Sequence, residues 1–395
     1  MTAHRLFHYS FVSENHPAKT PMSLTPRRTP PTVPRRGPRR PVMPAPAALP
    51  TRIVPAMIRR TAACLRLIAA LALSAGLAAC AARAPTPSAT ARARIVTDGY
   101  FRIAASPAPR ETIGLPYRDW LPPGRPRAVV LALHGFEDSR NAWSTLGPVL
   151  AADGIAVYAP DQRGFGAAPG RGRWPGTAAL VSDARQMAAI LHRRDPFIPL
   201  TLMGESMGGA IAIIVAAAGD PAISSYVAIA PAVWGAATFP LPLHWVVAAA
   251  GTLAPRLRLT GRSLHLRLSD NLAALRALAA DPLTLHAAPL GMLAGMVRMM
   301  GAAQRDCARL AAPRVLLMYG GHDDVIPPHA TAACWRAIPR GARATLAWYP
   351  ADDHLMLLDH ERRTPIGDIL SFLRHKRRPL PSAAATDAMI FLAEH

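Results

Sequence analysis

Six short runs of almost uninterrupted apolar residues, each followed by a stretch with different spacing, limit what this chain can fold into. The runs lie at 128–133, 155–158, 198–202, 226–229, 315–319 and 344–349. A strand with one wet face alternates apolar and polar side chains, whereas a strand covered on both faces does not. These runs therefore predict strands buried on both sides. Helical spacing follows or intervenes at 141–152, 178–193, 206–218, 328–338 and 365–374. That alternation predicts an α/β domain, a mostly parallel central sheet with helices on both faces. Residues 100–103 and 111–115 suit an antiparallel pair ahead of it. One region breaks the pattern. Residues 233–306 hold no strand run, are rich in Leu, Ala, Met and Arg, and show helical stretches at 271–280 and 290–300. They predict an inserted helical cap. Met292, Met296, Met299 and Met300 recur there at helical spacing, either as cap-to-core packing or as the lining of an acyl pocket.

The domain does not begin at the first residue. Residues 1–56 carry 12 of the 41 prolines and no helical or strand period, and predict a disordered Pro/Arg-rich extension. Met57-Ile58-Arg59-Arg60 and the mostly apolar stretch from Leu65 to Ala79 have the basic start and short hydrophobic core of a signal peptide. From Leu67 to Ala82 the chain has 16 uncharged residues, short of the roughly 20 a spanning helix needs. The late position of this segment predicts a physiological start at Met57. Residues 80–97 read as a tether, residues 98–380 as the folded domain and residues 381–395 as a C-terminal tail.

A formal net charge of +21 points first to a nucleic-acid partner, but its distribution argues otherwise. Of 45 basic residues only Lys19 and Lys376 are lysines, a bias that goes with heavy Ala and Pro usage. The basic excess is concentrated before residue 80, and the later arginines are scattered. The one dense run, Arg374, Lys376, Arg377 and Arg378, reads as a solvated helix end. No nucleic-acid partner is expected; attraction to an anionic membrane surface is the milder reading. At 51% hydrophobic and 17% charged residues, the composition excludes a wholly disordered chain.

The sharpest chemical signal is Gly204-Glu205-Ser206-Met207-Gly208, between a predicted buried strand and an alanine-rich helix. A turn that tight forces the central serine into a strained backbone conformation, and the flanking glycines let the chains approach. Ser206 would project at the carboxyl edge of the sheet, beside helix amides that favour developing negative charge. A serine hydroxyl needs a base, and the base an orienting carboxylate. His354 is the best-placed base, after the last predicted strand; His322, His329 and His360 are less well placed. Asp323 is the carboxylate candidate, with Asp324 the alternative, since adjacent side chains point different ways. The amides of Phe136 and Met207 would form the oxyanion site. His134 and the segment 160–166 read as loop scaffolding. Cys307 and Cys334 remain in the folded domain, and their spacing leaves open whether they are bridged. No Cys/His cluster has metal-ligand spacing, so no metal or organic cofactor is expected.

Together, His134-Gly135-Phe136, Asp161-x-x-Gly164-x-Gly166, Gly204–Gly209, Gly320-x-x-Asp323, Asp281-Pro282-Leu283 and His354 resemble the α/β-hydrolase superfamily, in the branch of monoacylglycerol lipases, lysophospholipases and serine-aminopeptidase-like hydrolases. The likeness covers about residues 98–376. It implies the α/β-hydrolase fold and hydrolysis of a small-molecule or lipid ester through Ser206, His354 and Asp323. Glu205 departs from the histidine common there, and Phe136 from a smaller residue. Leu77-Ala78-Ala79-Cys80 resembles the bacterial lipobox, which implies lipidation of Cys80 and a membrane-tethered location in the cell envelope. An aminopeptidase would require acids in the cap to bind an ammonium group, where only Asp270, Asp281 and Asp306 occur. An acyltransferase would use the same triad, and a non-catalytic envelope lipoprotein could share the scaffold. Oligomeric state is not legible.

Overall fold

The computed structural model describes residues 94–105, 111–235, 246, 249–259 and 266–395. The expected extension, signal segment and Cys80 lie outside the described residues. Of the expected tether, only the last residues are described, and they already belong to a strand.

Eight strands form one sheet. They are β1 (Arg94–Ala104), β2 (Thr112–Leu121), β3 (Ala128–Leu133), β4 (Ile155–Pro160), β5 (Leu200–Glu205), β6 (Ser225–Ile229), β9 (Val315–Gly320) and β10 (Ala344–Tyr349). Their spatial order is β1-β2-β4-β3-β5-β6-β9-β10. β2 runs antiparallel to β1 and β4, and every other pairing is parallel. The continuous apolar runs have the predicted cause. In β3, Val129, Leu131 and Leu133 enter the core on one face and Ala128, Val130 and Ala132 the core on the other. β9 repeats this, with Val315, Leu317 and Tyr319 opposite Leu316 and Met318. Each of the valine, leucine and methionine side chains among them stabilises the fold by about 1.5–3 kcal/mol when fully buried.

Helices cover both faces. α1 (Leu146–Ala152) and α7 (Arg363–Arg374) pack on one side. α2 (Thr177–Arg194), α3 (Met207–Ala218), α5 (Leu290–Cys307) and α6 (Pro328–Ala337) pack on the other. The segment 381–395, expected as a tail, contains helix α8 (Ala384–Glu394), whose Phe391 is completely buried.

The cap differs from expectation at its far end. Its described part contains α4 (Leu272–Ala280), which has no buried residue. It also contains a two-residue antiparallel pair of β7 (Arg258–Leu259) and β8 (Ala288–Pro289). α5, by contrast, is the crossover helix that a parallel connection from β6 to β9 requires. Twelve of its eighteen residues are buried, including all four methionines of the stripe, which belong to the main core. Helical spacing reads the same for a cap helix and a crossover helix, so only packing separates them. A disulfide between Cys307, at the end of α5, and Cys334, in α6, joins the two helices with a Cα separation of 5.4 Å.

Candidate active site

The turn from β5 into α3 is as tight as the glycine spacing predicts. Ser206 sits at φ 51° and ψ −109°, a conformation rarely adopted by a non-glycine residue. Its amide donates to the Ile229 carbonyl at 2.9 Å, and its carbonyl accepts from Ala232 at 3.0 Å, which hold the strained residue in place. A Cβ at position 204 would lie 2.1 Å from the Gly208 backbone, and one at 208 would lie 2.1 Å from the Leu133 carbonyl oxygen. Only glycine fits at either place.

The loops after β9 and β10 deliver the other two side chains. His354 Nδ1 lies 2.8 Å from Asp323 Oδ2. Asp323 Oδ1 accepts from the amides of Val325 and Ile326, each at 2.8 Å, which fixes the carboxylate. Asp324 turns elsewhere and accepts from the Arg267 amide at 3.1 Å. Burial pulls the His354 pKa down. The charge of Asp323 and its hydrogen bond, with Glu205 and Asp359 adding, outweigh that and leave it above the ordinary histidine value. His322, His329 and His360 do not line the pocket that His354 shares with Ser206.

That pocket has a volume of about 90 Å³. Phe136, Val325 and Leu355 from the core and Leu268 and Leu278 from the cap make its apolar wall. Met207 opens α3, where amides have no intrahelical acceptor, and Phe136 lies on the loop after β3. The Phe136 ring meets Phe165 edge-on at 5.6 Å. His134 is fully buried, its Nδ1 2.8 Å from the Gly135 carbonyl and its Nε2 accepting from the Gln162 amide at 3.0 Å. Burial lowers its pKa against the pull of Asp161, so it is a neutral bracket between two loops. Asp161 binds the Arg140 amide and guanidinium at 2.7 and 2.6 Å and the Ala167 amide at 2.7 Å, which makes 160–166 scaffolding.

Glu137 and Asp138 also line the pocket, and sequence reasoning passed over both. Glu137 is at φ 65°, and its carbonyl accepts from the Leu285 amide of the cap at 2.7 Å. Burial pushes the Asp138 carboxyl up to about 8; the Ser139 amide opposes this, and Glu205, Asp281 and Asp161 add to it. Glu205, the residue before Ser206, is pushed up to about 7 by burial, against His354 and with Asp359. The two acidic letters after Phe136 were the available signal, but nothing in them says which way a loop turns.

Comparison with known proteins gives a consistent pattern. A family model described as "Serine aminopeptidase, S33" matches residues 124–361. A monoacylglycerol lipase from Mycolicibacterium smegmatis is 27% identical over 261 residues, 65% of this chain and 91% of that one. The mouse monoglyceride lipase is 33% identical, but over 29% of this chain and 39% of its own length. Among solved structures, a Paleococcus ferrophilus monoacylglycerol lipase superposes with a TM-score of 0.57 at 23% identity, over 66% of this chain and 98% of its own. A soluble variant of the Saccharomyces cerevisiae monoglyceride lipase gives 0.60 at 22% identity, over 73% and 98%. These structural likenesses concern the fold.

Proposed function

Because the chain belongs to the serine aminopeptidase S33 family and has the α/β-hydrolase fold, we propose that it is a serine hydrolase of carboxylic esters, acting on monoacylglycerol- or lysophospholipid-like substrates. The observation that carries this reading is the Asp323–His354 hydrogen bond at the pocket that also holds the strained Ser206. In the proposed reaction Ser206 Oγ attacks the ester carbonyl while His354 Nε2 takes its proton. Asp323 keeps the proton of His354 on Nδ1 and stabilises the imidazolium. The amides of Phe136 and Met207 would hold the oxyanion, a single such donor being worth about 3–4 kcal/mol in the transition state. The alcohol leaves with the proton from His354, and water activated by the same ring releases the acid.

Relatives that bear lipase names support the ester class, and so does the apolar wall of the pocket. A second reading, an aminopeptidase, draws on the family's description and on Glu137 and Asp138 at the pocket. Asp138 weighs against it: a carboxyl with a pKa of about 8 is mostly uncharged at neutral pH and a weak partner for an ammonium group. The decisive experiment is labelling with a fluorophosphonate probe, followed by turnover of p-nitrophenyl esters and amino-acid p-nitroanilides. Ester turnover and labelling, both lost in Ser206→Ala, are expected. Turnover of the anilides alone would defeat the esterase reading, and absence of labelling would defeat a serine enzyme altogether.

We further propose that Cys80 carries a lipid that holds the enzyme at the cell envelope, where its substrates reside. Cys80→Ala should move the protein from the membrane to the soluble fraction; an unchanged distribution would remove the anchor.

A further inference from the structure

A second depression adjoins the Ser206 pocket, and the hydrolytic mechanism does not use it. Its volume is about 320 Å³, and Arg171, Arg258, Thr284 and His286 line it. Thr284 lines the Ser206 pocket as well, so the two cavities meet at one shared residue. The basic side chains come from separate segments. Arg171 lies on the loop after β4, Arg258 in β7, and His286 just ahead of β8, the strand that pairs with β7. Arg171 is held in place: Nη1 donates to the Gly166 carbonyl at 2.9 Å, and Nη2 to the carbonyls of Pro282 and Thr284 at 2.9 and 3.1 Å. These acceptors carry no net charge, and a guanidinium has five N–H groups, so the charge of Arg171 stays uncompensated and further donors remain. A Cβ at position 172 would lie 3.8 Å from Arg258 Nη2, which seats the Arg258 head beside the residue that follows Arg171. Among the described residues, no carboxylate lines this depression.

A second observation comes from the shared wall. Thr284 is 3% exposed, and its Oγ1 is buried with no hydrogen-bond partner. Buried hydroxyls are ordinarily paired, and one left over at a cavity wall points to a ligand or water that completes it. Two guanidinium groups, an imidazole and a free hydroxyl offer donors from several directions. A carboxylate is satisfied by one planar fork, whereas the tetrahedral oxygens of a phosphate use several donors at once. The spacing suits an ester of glycerol. Its backbone of three carbons separates the acyl ester from a phosphate at the other end, a span comparable with the roughly 3.8 Å step of one residue.

We propose that Arg171, Arg258, His286 and Thr284 hold the phosphate of a lysophospholipid whose acyl ester lies at Ser206, so that a phosphate-bearing ester is preferred to the neutral monoacylglycerol of the same chain. This rests on the hydrolytic reading of the Ser206 pocket and narrows its substrate class. Arg171, tied to Gly166 on one side and to the cap on the other, is the fixed part of the cradle. Arg258, exposed on β7, is the specificity-determining residue: it supplies charge to the headgroup and takes no part at the ester. The site was not legible in the sequence because its arginines are scattered there, and only the fold gathers them.

The test measures binding apart from turnover. The ether lipid dodecylglycerol and its phosphate monoester, neither of which a hydrolase of carboxylic esters cleaves, are titrated into the purified protein by calorimetry below their aggregation concentrations. The phosphate form should bind about tenfold tighter or more. Arg258→Ala should cut that preference to about threefold or less. Arg102→Ala, at an exposed position on the edge strand β1, removes the same net charge and should leave the preference intact. Inorganic phosphate should bind about tenfold more weakly than the phosphate lipid; equal affinity would make this a free-phosphate site and overturn the headgroup assignment. Equal binding of the two lipids would overturn the proposal, as would a preference that survives Arg258→Ala or falls equally in Arg102→Ala. Fluorophosphonate labelling of Ser206 is read separately: its absence beside an intact preference would defeat the hydrolytic reading and not the phosphate site.

Discussion

Ser206 shows how the surrounding fold can hold a side chain in an unfavourable backbone conformation. Its positive φ is unfavourable for any side chain, yet it is fixed by the Ile229 and Ala232 backbone bonds and by glycines that admit no other residue. Asp138, which lines the same pocket, carries a testable consequence. Its folded pKa of about 8 lies above the ordinary carboxylate value, so the native state binds a proton that the unfolded chain releases. The stability it contributes is fully present below about pH 4 and is lost as pH rises through 8, at up to roughly 1.4 kcal/mol per pH unit from this group. Asp138→Asn keeps an acceptor for the Ser139 amide, now bonded at 2.7 Å, and cannot ionise. Thermal unfolding at pH 4 and pH 9 should show the variant close to the parent at pH 4 and clearly more stable at pH 9. A difference independent of pH would refute the assignment. Ser206 was legible in the sequence because its constraint is local, set by neighbours two residues away. Asp138 was not, because the groups around it, Asp161, Glu205 and Asp281, come from distant stretches of the chain.

Among the elements, α8 is the instructive departure from expectation. It follows Pro381 and a basic run, and such a segment reads as a tail. Its value lies in one side chain: the Phe391 ring sits 5.3 Å from Tyr319, 5.2 Å from Trp335 and 5.5 Å from Trp348. Arg336 adds a hydrogen bond to the Leu392 carbonyl at 2.5 Å. The helix thus covers the flank of β10, the strand that leads to His354. Phe391→Ala should cost about 3–5 kcal/mol in a urea titration, the usual range for emptying an aromatic core site. A loss under about 1 kcal/mol would mean that the helix is dispensable. The parallel strands, by contrast, were legible in position, although 198–202 is offset from β5, the entry segments 100–103 and 111–115 fall well short of β1 and β2, and β10 is only partly buried. α5 was legible as a helix but not as a crossover, since its methionine spacing suits either role.

At the scale of the whole molecule, the cap borders the pocket and polar bonds tie it to the core. Arg171 donates to the carbonyls of Pro282 and Thr284 at 2.9 and 3.1 Å and to Gly166 at 2.9 Å, while Asn141 donates to Asp281 at 2.7 Å. The described pocket, at about 90 Å³, is smaller than the roughly 300–1,000 Å³ of common ligand sites, and a long acyl chain would ask more room on the cap side than a short one. Arg171→Ala should therefore lower KM for long-chain p-nitrophenyl esters more than for the acetate, with kcat for the acetate nearly unchanged. Equal effects on both chain lengths would show that the cap is not the barrier.

The rooting of α5 in the core has a consequence for anyone who would exchange lids between enzymes of this shape. Residues 290–307 cannot travel with the transplanted piece, because their methionines fill the host's interior and Cys307 is tied to Cys334. A chimera spliced at 235 and 289 would inherit new selectivity and keep its scaffold; one spliced at 306 would import a stranger's keel.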